Sequence, residues 1–215
     1  NAAANSCYEQ EVRLNHVLAQ IYENKKQQDG SDKETKARIK AHSDKTKDMP
    51  KQGLIAFCTF YESDKFAALR PNGFDWCYKD ITALTKLHFK LKKPEQHPEL
   101  TREFSVTLYP NSVFFISLST NRLYTHEIRP SMHNIDKIPT RMGYVARCSD
   151  AQAVFYKGQT HLLQGERLVA LQPVGQGDLA SLRNTYFEEN ATDGHVDYGS
   201  VQFSMNAGDY ERPIY

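Results

Sequence analysis

His42-Ser-Asp44 is the first place in the chain where residue type and spacing suggest chemistry. On an extended segment, side chains two residues apart leave the same face. An imidazole nitrogen and a carboxylate oxygen can then reach one metal ion from adjacent corners. A third imidazole from a distant strand would complete a three-ligand set. His126, in Asn121-Arg-Leu-Tyr-Thr-His126-Glu-Ile, follows an apolar strand and is the first choice; His133 is the fallback, disfavoured by its closeness to Arg141. Arg141-Met-Gly-Tyr-Val-Ala-Arg147 carries a guanidinium at each end. The even separation places both on one face of a strand, with Gly143 and Val145 between them. Arginine's planar fork suits a small carboxylate dianion. The plainer reading of each of these side chains is a surface ion pair or a buried polar group.

His-x-Asp alone is short enough to arise by chance. His195-Val-Asp197 repeats it, but no histidine follows. That copy cannot open the same arrangement and reads as a polar surface loop. No GxGxxG, GxSxG or HExxH occurs, nor a GxxxxGK followed by Ser or Thr. Dinucleotide, hydrolase-elbow, zincin and phosphate-loop readings therefore lack their defining residues.

These residues need strands to hold them. Leu14, Val17, Leu18 and Ile21 have helical spacing, yet Val17 to Tyr22 fits a short buried strand equally well. From Glu23 to Lys51 apolar content collapses, and residues 25 to 32 read as a solvated loop. Residues 25 to 51 hold nine Lys or Arg against five Asp or Glu, a surplus whose bland reading is solubility. After Pro50, Leu54 to Tyr61 is rich in strand formers. Leu87, Phe89 and Leu91 then alternate with Lys86, His88, Lys90 and Lys92. Phe104, Val106 and Leu108 alternate again, and the turn Tyr109-Pro-Asn-Ser112 predicts a hairpin with Val113 to Leu118. Gly143 to Cys148, Ala153 to Tyr156 and Arg167 to Gln172 are further strand candidates. Beyond Gly175 the chain is polar, with helical potential around Leu179 to Phe187. Many short strands favour a sandwich or barrel over a βαβ fold.

Composition agrees with one globular domain over residues 1–215: 40% hydrophobic, 11% aromatic and 25% charged residues. Disorder and collagen-like structure are poor readings. A formal net charge of +1 gives no whole-protein field for a polyanion, so any basic surface is local. The apolar runs fall far short of the roughly 20 residues that span a bilayer. Cys7, Cys58, Cys77 and Cys148 form no CxxC pair and read as core thiols in a reducing compartment, hence an intracellular protein, nuclear or cytoplasmic. Asn190-Ala-Thr192 is a glycosylation acceptor only in a secreted chain. Opening at Asn1 without a methionine reads as a processed chain or a fragment.

His42-Ser-Asp44, His126, Arg141 and Arg147, in this order, resemble the iron and 2-oxoglutarate residues of the Fe(II)/2-oxoglutarate-dependent dioxygenases. Arg141 to Arg147 is similar to the Arg-x-Asn-x-Thr-x-Arg segment of the AlkB-like group, with Gly143 and Val145 where that group has Asn and Thr. Gln20-Ile-Tyr22 resembles the family's Asn-x-Tyr, which favours the strand reading of Val17 to Tyr22. The resemblance spans residues 12–150 and leaves 175–215 as a C-terminal extension. It implies a mainly β, double-stranded β-helix (jelly-roll, cupin-like) with flanking helices. It further implies Fe(II) on His42, Asp44 and His126, and 2-oxoglutarate held by Arg141, Arg147, Tyr22 and Gln20. Dioxygen would then drive oxidation of a substrate C–H bond, with succinate and carbon dioxide as co-products. The interval from His42 to His126 implies an insertion near Phe66 to Pro98. The upstream substrate lid of AlkB-like enzymes is absent or lies in a missing N-terminal part.

For substrate, the resemblance points to a methylated nucleic-acid base, through demethylation or the 5-methylpyrimidine oxidation of the TET and JBP branch. Lys36, Arg38, Lys40, Lys45, Lys47 and Lys51, with the lysines of 86 to 93, would meet its backbone. Tyr61, Phe66, Trp76 and Tyr78 would hold a flipped base, although such aromatics are more often core. A protein or small-molecule hydroxylase is the second reading. A catalytically silent β-sandwich that binds a partner is the third, and convergence of His42, Asp44 and His126 decides against or for it.

Overall fold

The segment whose period the sequence leaves open is extended: β1 runs Leu14–Tyr22. Leu14, His16 and Leu18 turn inward, while Val17 and Ile21, two of the residues that suggested a helix, are exposed. The computed structural model describes residues 1–9, 11–26, 33–64 and 82–214. Phe66, Trp76, Cys77, Tyr78 and the 66–81 part of the expected insertion lie outside these residues.

A short helix α1 (Ala2–Cys7) precedes β1. There follow β2 (Lys25–Lys26), β3 (Glu34–Thr35), β4 (Ile39–His42), β5 (Leu54–Tyr61), β6 (Lys86–Leu91), β7 (Glu103–Thr107) and β8 (Ser112–Ser117). Helix α2 (Leu118–Leu123) leads into β9 (Tyr124–Ile128) and β10 (Arg141–Cys148). The chain ends with β11 (Gln152–Tyr156), β12 (Gln159–Gln164), β13 (Arg167–Ala170) and helix α3 (Gln176–Ala191). The protein is thus mainly β, with antiparallel sheets and a few helices. No described helix is long and apolar enough to cross a membrane.

One four-stranded sheet has the order β1-β10-β5-β8 and a second the order β4-β9-β6-β7. The core lies between them: Ile55 and Ile116 from the first meet Leu87, Phe89, Leu91, Tyr124 and Ile128 from the second. Phe89 stacks on Phe104 at 4.7 Å and meets Phe114 edge-on at 6.0 Å, so one ring ties both layers. Each such side chain, fully buried, contributes about 1.5–3 kcal/mol. On the outer side of the first sheet, Ala4 of α1 packs with Val12, Leu54 and Cys148.

The expected hairpin over Tyr109 to Ser112 does not form. β7 pairs with β6, matching Phe104 to Phe89 and Val106 to Leu87, whereas β8 pairs with β5. The turn, with Asn111 at a φ of 54°, a left-handed conformation that asparagine tolerates, carries the chain from the edge of one sheet to the edge of the other. That crossing lets both strands turn apolar faces onto one core; a hairpin would leave one sheet uncovered. The sequence reading also lacks β12. Lys157 and Gly158, with φ of 50° and 79°, form the two-residue turn that closes β11 onto it. Cys148 is buried and Cys58 half-buried, but Cys7 is exposed, contrary to a core thiol. Asn190 sits within α3 and its amide donates to Tyr186 O at 2.9 Å, which places the sequon in a helix rather than an open loop.

Candidate metal centre

Strand register brings the two distant histidines together. In the β4–β9 pair His42 lies directly opposite His126, and their ring centroids are 4.5 Å apart. Asp44 follows two residues on. His42 Nε2 lies 3.5 Å and His126 Nε2 3.7 Å from Asp44 Oδ1. One ligand atom from each residue falls within 4.8 Å of the others, close enough to converge on a single ion.

Hydrogen bonds select which atoms are free to do so. His42 Nδ1 donates to Lys40 O at 2.9 Å, which leaves Nε2 as the basic nitrogen. Asp44 Oδ2 accepts from Arg147 Nη2 at 2.8 Å and Nε at 3.0 Å, which leaves Oδ1 for a cation. His126 is walled by Phe57 and Phe89, with ring centroids at 5.6 and 5.8 Å. Its Nδ1 is buried without a hydrogen-bond partner among the described residues.

Charge states fit this role. Burial pushes the Asp44 carboxyl upward, but the contacts with His42 and Arg147 outweigh it and hold the group well below the usual range. Burial, opposed by Asp44, brings the His126 imidazole down to about 4, so it is neutral at pH 7. For His42 burial also disfavours the cation, but Asp44 and the Lys40 carbonyl outweigh it and raise the value. An ionised carboxylate beside two imidazoles is a donor set for a divalent first-row metal.

The backbone between the ligands is tied down by residues the sequence reading did not find. Asn121 of α2, 1% exposed, donates to Asp44 O and accepts from Asp44 N, both at 2.8 Å. Ser43 is fully buried; its N–H donates to Asn190 Oδ1 at 2.6 Å and its carbonyl accepts from Tyr186 Oη at 2.9 Å. Glu189, also in α3, takes the hydroxyls of Thr46 and Tyr198. Lys92 donates to Glu189 O at 2.7 Å and Thr192 O at 3.0 Å, which anchors the helix end. The C-terminal segment, which had no assigned role, thus grips the His-Ser-Asp turn. Nothing in the local sequence marks Asn121, Tyr186, Glu189 or Asn190, because each acts across a long sequence separation.

Arg141 and Arg147 line the same small cavity of about 160 Å³, with Tyr22, Gln20, His42, Asp44 and His126. Arg141, 6% exposed, lies over the Tyr22 ring at 3.9 Å. It has no carboxylate partner among the described residues, and its Nε is buried without an acceptor. Burial lowers its pKa, opposed by Tyr22 and Tyr61. Tyr22 Oη donates to Gln20 Oε1 at 2.5 Å. At Gly143 a Cβ would come within 3.0 Å of Arg141 Nη1 and 3.4 Å of the Tyr22 ring; the missing side chain there is the room in which the guanidinium lies.

Other sequence candidates fall elsewhere. His133 is half-buried in the segment after β9 and is not part of the ligand group. His195 and Asp197 are exposed. Tyr61 donates to Leu108 O at 2.7 Å and accepts from Thr85 N at 3.0 Å, so its hydroxyl serves the interior. Lys36 meets Glu34 at 3.2 Å, Lys47 meets Asp48 at 2.7 Å, Lys90 meets Glu103 at 3.6 Å and Lys93 meets Asp193 at 3.7 Å. The basic stretches are therefore largely engaged within the protein. Searches find neither a family model nor a characterised protein that matches this chain.

Proposed function

We propose that this protein is an Fe(II)- and 2-oxoglutarate-dependent dioxygenase that oxidises a substrate C–H bond. One observation carries the reading: a convergent His42, Asp44 and His126 share a cavity with Arg141, a buried guanidinium that lacks a carboxylate. A buried charge without a partner is costly, and a dicarboxylate co-substrate supplies the partner. The strand order adds support. Strands β1 and β4 to β10 alternate between the two sheets apart from the β6–β7 pair, the alternation that a jelly-roll winding would require.

His42 Nε2, Asp44 Oδ1 and His126 Nε2 would hold the iron. When bound, iron and 2-oxoglutarate together activate dioxygen, with loss of carbon dioxide, formation of succinate and transfer of one oxygen atom to the substrate. The rest falls to the chain. Arg141 binds the distal carboxylate through its fork, and the Tyr22 ring fixes the plane of that fork. Arg147 keeps Asp44 monodentate by occupying Oδ2. Phe57, Phe89 and Ile128 keep water from the buried side of His126. The expectation of a methylated nucleic-acid base as substrate draws little from Lys36, Lys47, Lys90 and Lys93, whose partners lie within the protein, and rests on Arg38, Lys40 and Lys51, all exposed.

The test is anaerobic titration of Fe(II) with 2-oxoglutarate, read by the visible metal-to-ligand charge-transfer band. The intact protein gives the band, His42→Ala loses it by losing iron, and Arg141→Met loses it while still binding Fe(II). No band in the intact protein removes the reading and moves the weight to a silent binding domain.

A further inference from the structure

A second cavity of about 420 Å³ is reached through Arg147 from the metal-centre cavity and is built largely by residues after 150, outside the resemblance. Arg147 contributes to the walls of both cavities. The second is bounded by the end of β10, the inner face of β11 and β12, and the segment from Phe203 to Pro213. One side of it is apolar, with Met49, Phe155, Leu162, Leu171, Phe203 and Met205, and the other carries charged and polar groups. An apolar wall facing placed polar groups suits a small amphipathic molecule.

The charge at one end is specific. Lys45, the residue after Asp44, is half-buried and lines this cavity, with Nζ 5.1 Å from the centroid of the Tyr186 ring. The neighbouring carboxylates are committed: Asp44 to Arg147, Asp48 to Lys47, and Glu189 to Thr46 and Tyr198. Lys45 has no carboxylate partner among the described residues. Of the remaining acidic groups on the cavity wall, Asp209 accepts from Ser204 Oγ within the C-terminal turn, and Glu211 is exposed.

We propose that this cavity is the substrate cleft of the oxygenase and takes an amphipathic molecule with one anionic group. The anion rests on Lys45, and the apolar body lies against Met49, Phe155, Leu162 and Met205. The proposal rests on the oxygenase reading for the chemistry, and on the cavity alone for the ligand class. A polyanion fits this site less well, because Asp48, Asp209 and Glu211 also line it while Lys47 and Arg147 are paired, which leaves Lys45 as the cation without a carboxylate.

Decanoate serves as the probe, with decanol as its uncharged counterpart, measured by calorimetry on the whole chain. Decanoate binds with one-to-one stoichiometry and decanol about tenfold more weakly, the worth of one charge-assisted contact. Lys45→Met weakens decanoate by about tenfold and Lys45→Arg restores it. Met205→Glu, a change at a half-exposed position, repels decanoate while leaving the fold intact. In protein loaded with Co(II) in place of iron, and with 2-oxoglutarate, decanoate alters the visible Co(II) spectrum. Four outcomes overturn the proposal: no decanoate binding, binding indifferent to Lys45, binding without any change at Co(II), or a methylated oligonucleotide that binds through Lys45 where decanoate does not. Co(II) and 2-oxoglutarate binding without decanoate binding leaves the oxygenase reading standing and removes this one. Absence of Co(II) binding removes the oxygenase reading, and the substrate role falls with it.

Discussion

His42-Ser-Asp44 and His195-Val-Asp197 share one short pattern and meet opposite fates. The first stands at the end of a strand whose register partner is another histidine, and the residue between its ligands is fully buried. The second lies in an exposed segment where Asp197 Oδ1 accepts Gly199 N at 2.8 Å, a local turn. Two side chains with the same spacing become a ligand pair only where strand pairing supplies a third donor and other elements fix the backbone between them. Asn121 and α3 do the second task for the first copy, and among the described residues nothing comparable holds His195 and Asp197.

The largest break in this comparison comes from Asp44→Ala. It removes a proposed metal ligand and leaves the half-buried Arg147 without its carboxylate, so metal binding is lost and stability falls by about 3 kcal/mol, read by calorimetry and denaturant melts. His195→Ala and Asp197→Ala, made alongside, change neither quantity measurably; a loss of metal binding in either would place the second copy in the site.

Acid titration comes next. His126 has its pKa lowered to about 4 from 6.5, so the unfolded chain takes up a proton first as pH falls. The stabilisation is complete above pH 6.5 and is lost between there and about pH 4, an effect of about 3 kcal/mol. His42, whose value is raised, works in the opposite sense, and Asp44 adds a loss below the normal carboxylate range. Replacing His126 with Phe flattens the fall of stability between pH 6.5 and 4 in urea melts; an unchanged slope would assign that fall to another group.

The backbone ties have a smaller effect. Asn190→Ala leaves Ser43 N without its acceptor, costs about 1–3 kcal/mol and weakens metal binding by about 10–100-fold. Asn190→Asp keeps the acceptor and recovers metal affinity. Equal metal affinity in Asn190→Ala would show that the turn holds its shape without α3. The smallest effect has the opposite sign: Arg141→Met removes a buried charge that lacks a carboxylate and raises thermal stability by about 1 kcal/mol, while 2-oxoglutarate binding is lost. A drop in stability would mean that the stacking on Tyr22 outweighs the missing carboxylate.

Much of the β-structure is legible because alternation survives in sequence. Lys86 to Leu91, with one polar and one apolar face, reads at once as a strand, as does Leu54 to Tyr61. β1 is ambiguous since Val17 and Ile21 are apolar yet exposed, which blurs the period. The Tyr109 to Ser112 turn is recognisable as a turn, but its local chemistry carries no information on which sheets its flanking strands join. In the site, the ligand types and their order are readable, and so is the shared face of Arg141 and Arg147. The partners of the lysines are not, because ion pairs such as Lys93 with Asp193 join residues that no local pattern connects.

The sequence by itself determined the donors: two imidazoles, a carboxylate and two guanidinium groups, with spacings that strands convert into shared faces. Only the tertiary structure decided which His-x-Asp meets a third donor, which arginine has a carboxylate and which does not, and that α3 holds the backbone of the first copy. The physical reason is range. Side-chain direction along a strand follows from local backbone geometry, whereas burial, register and charge pairing depend on residues that meet only when the two sheets close on their common core.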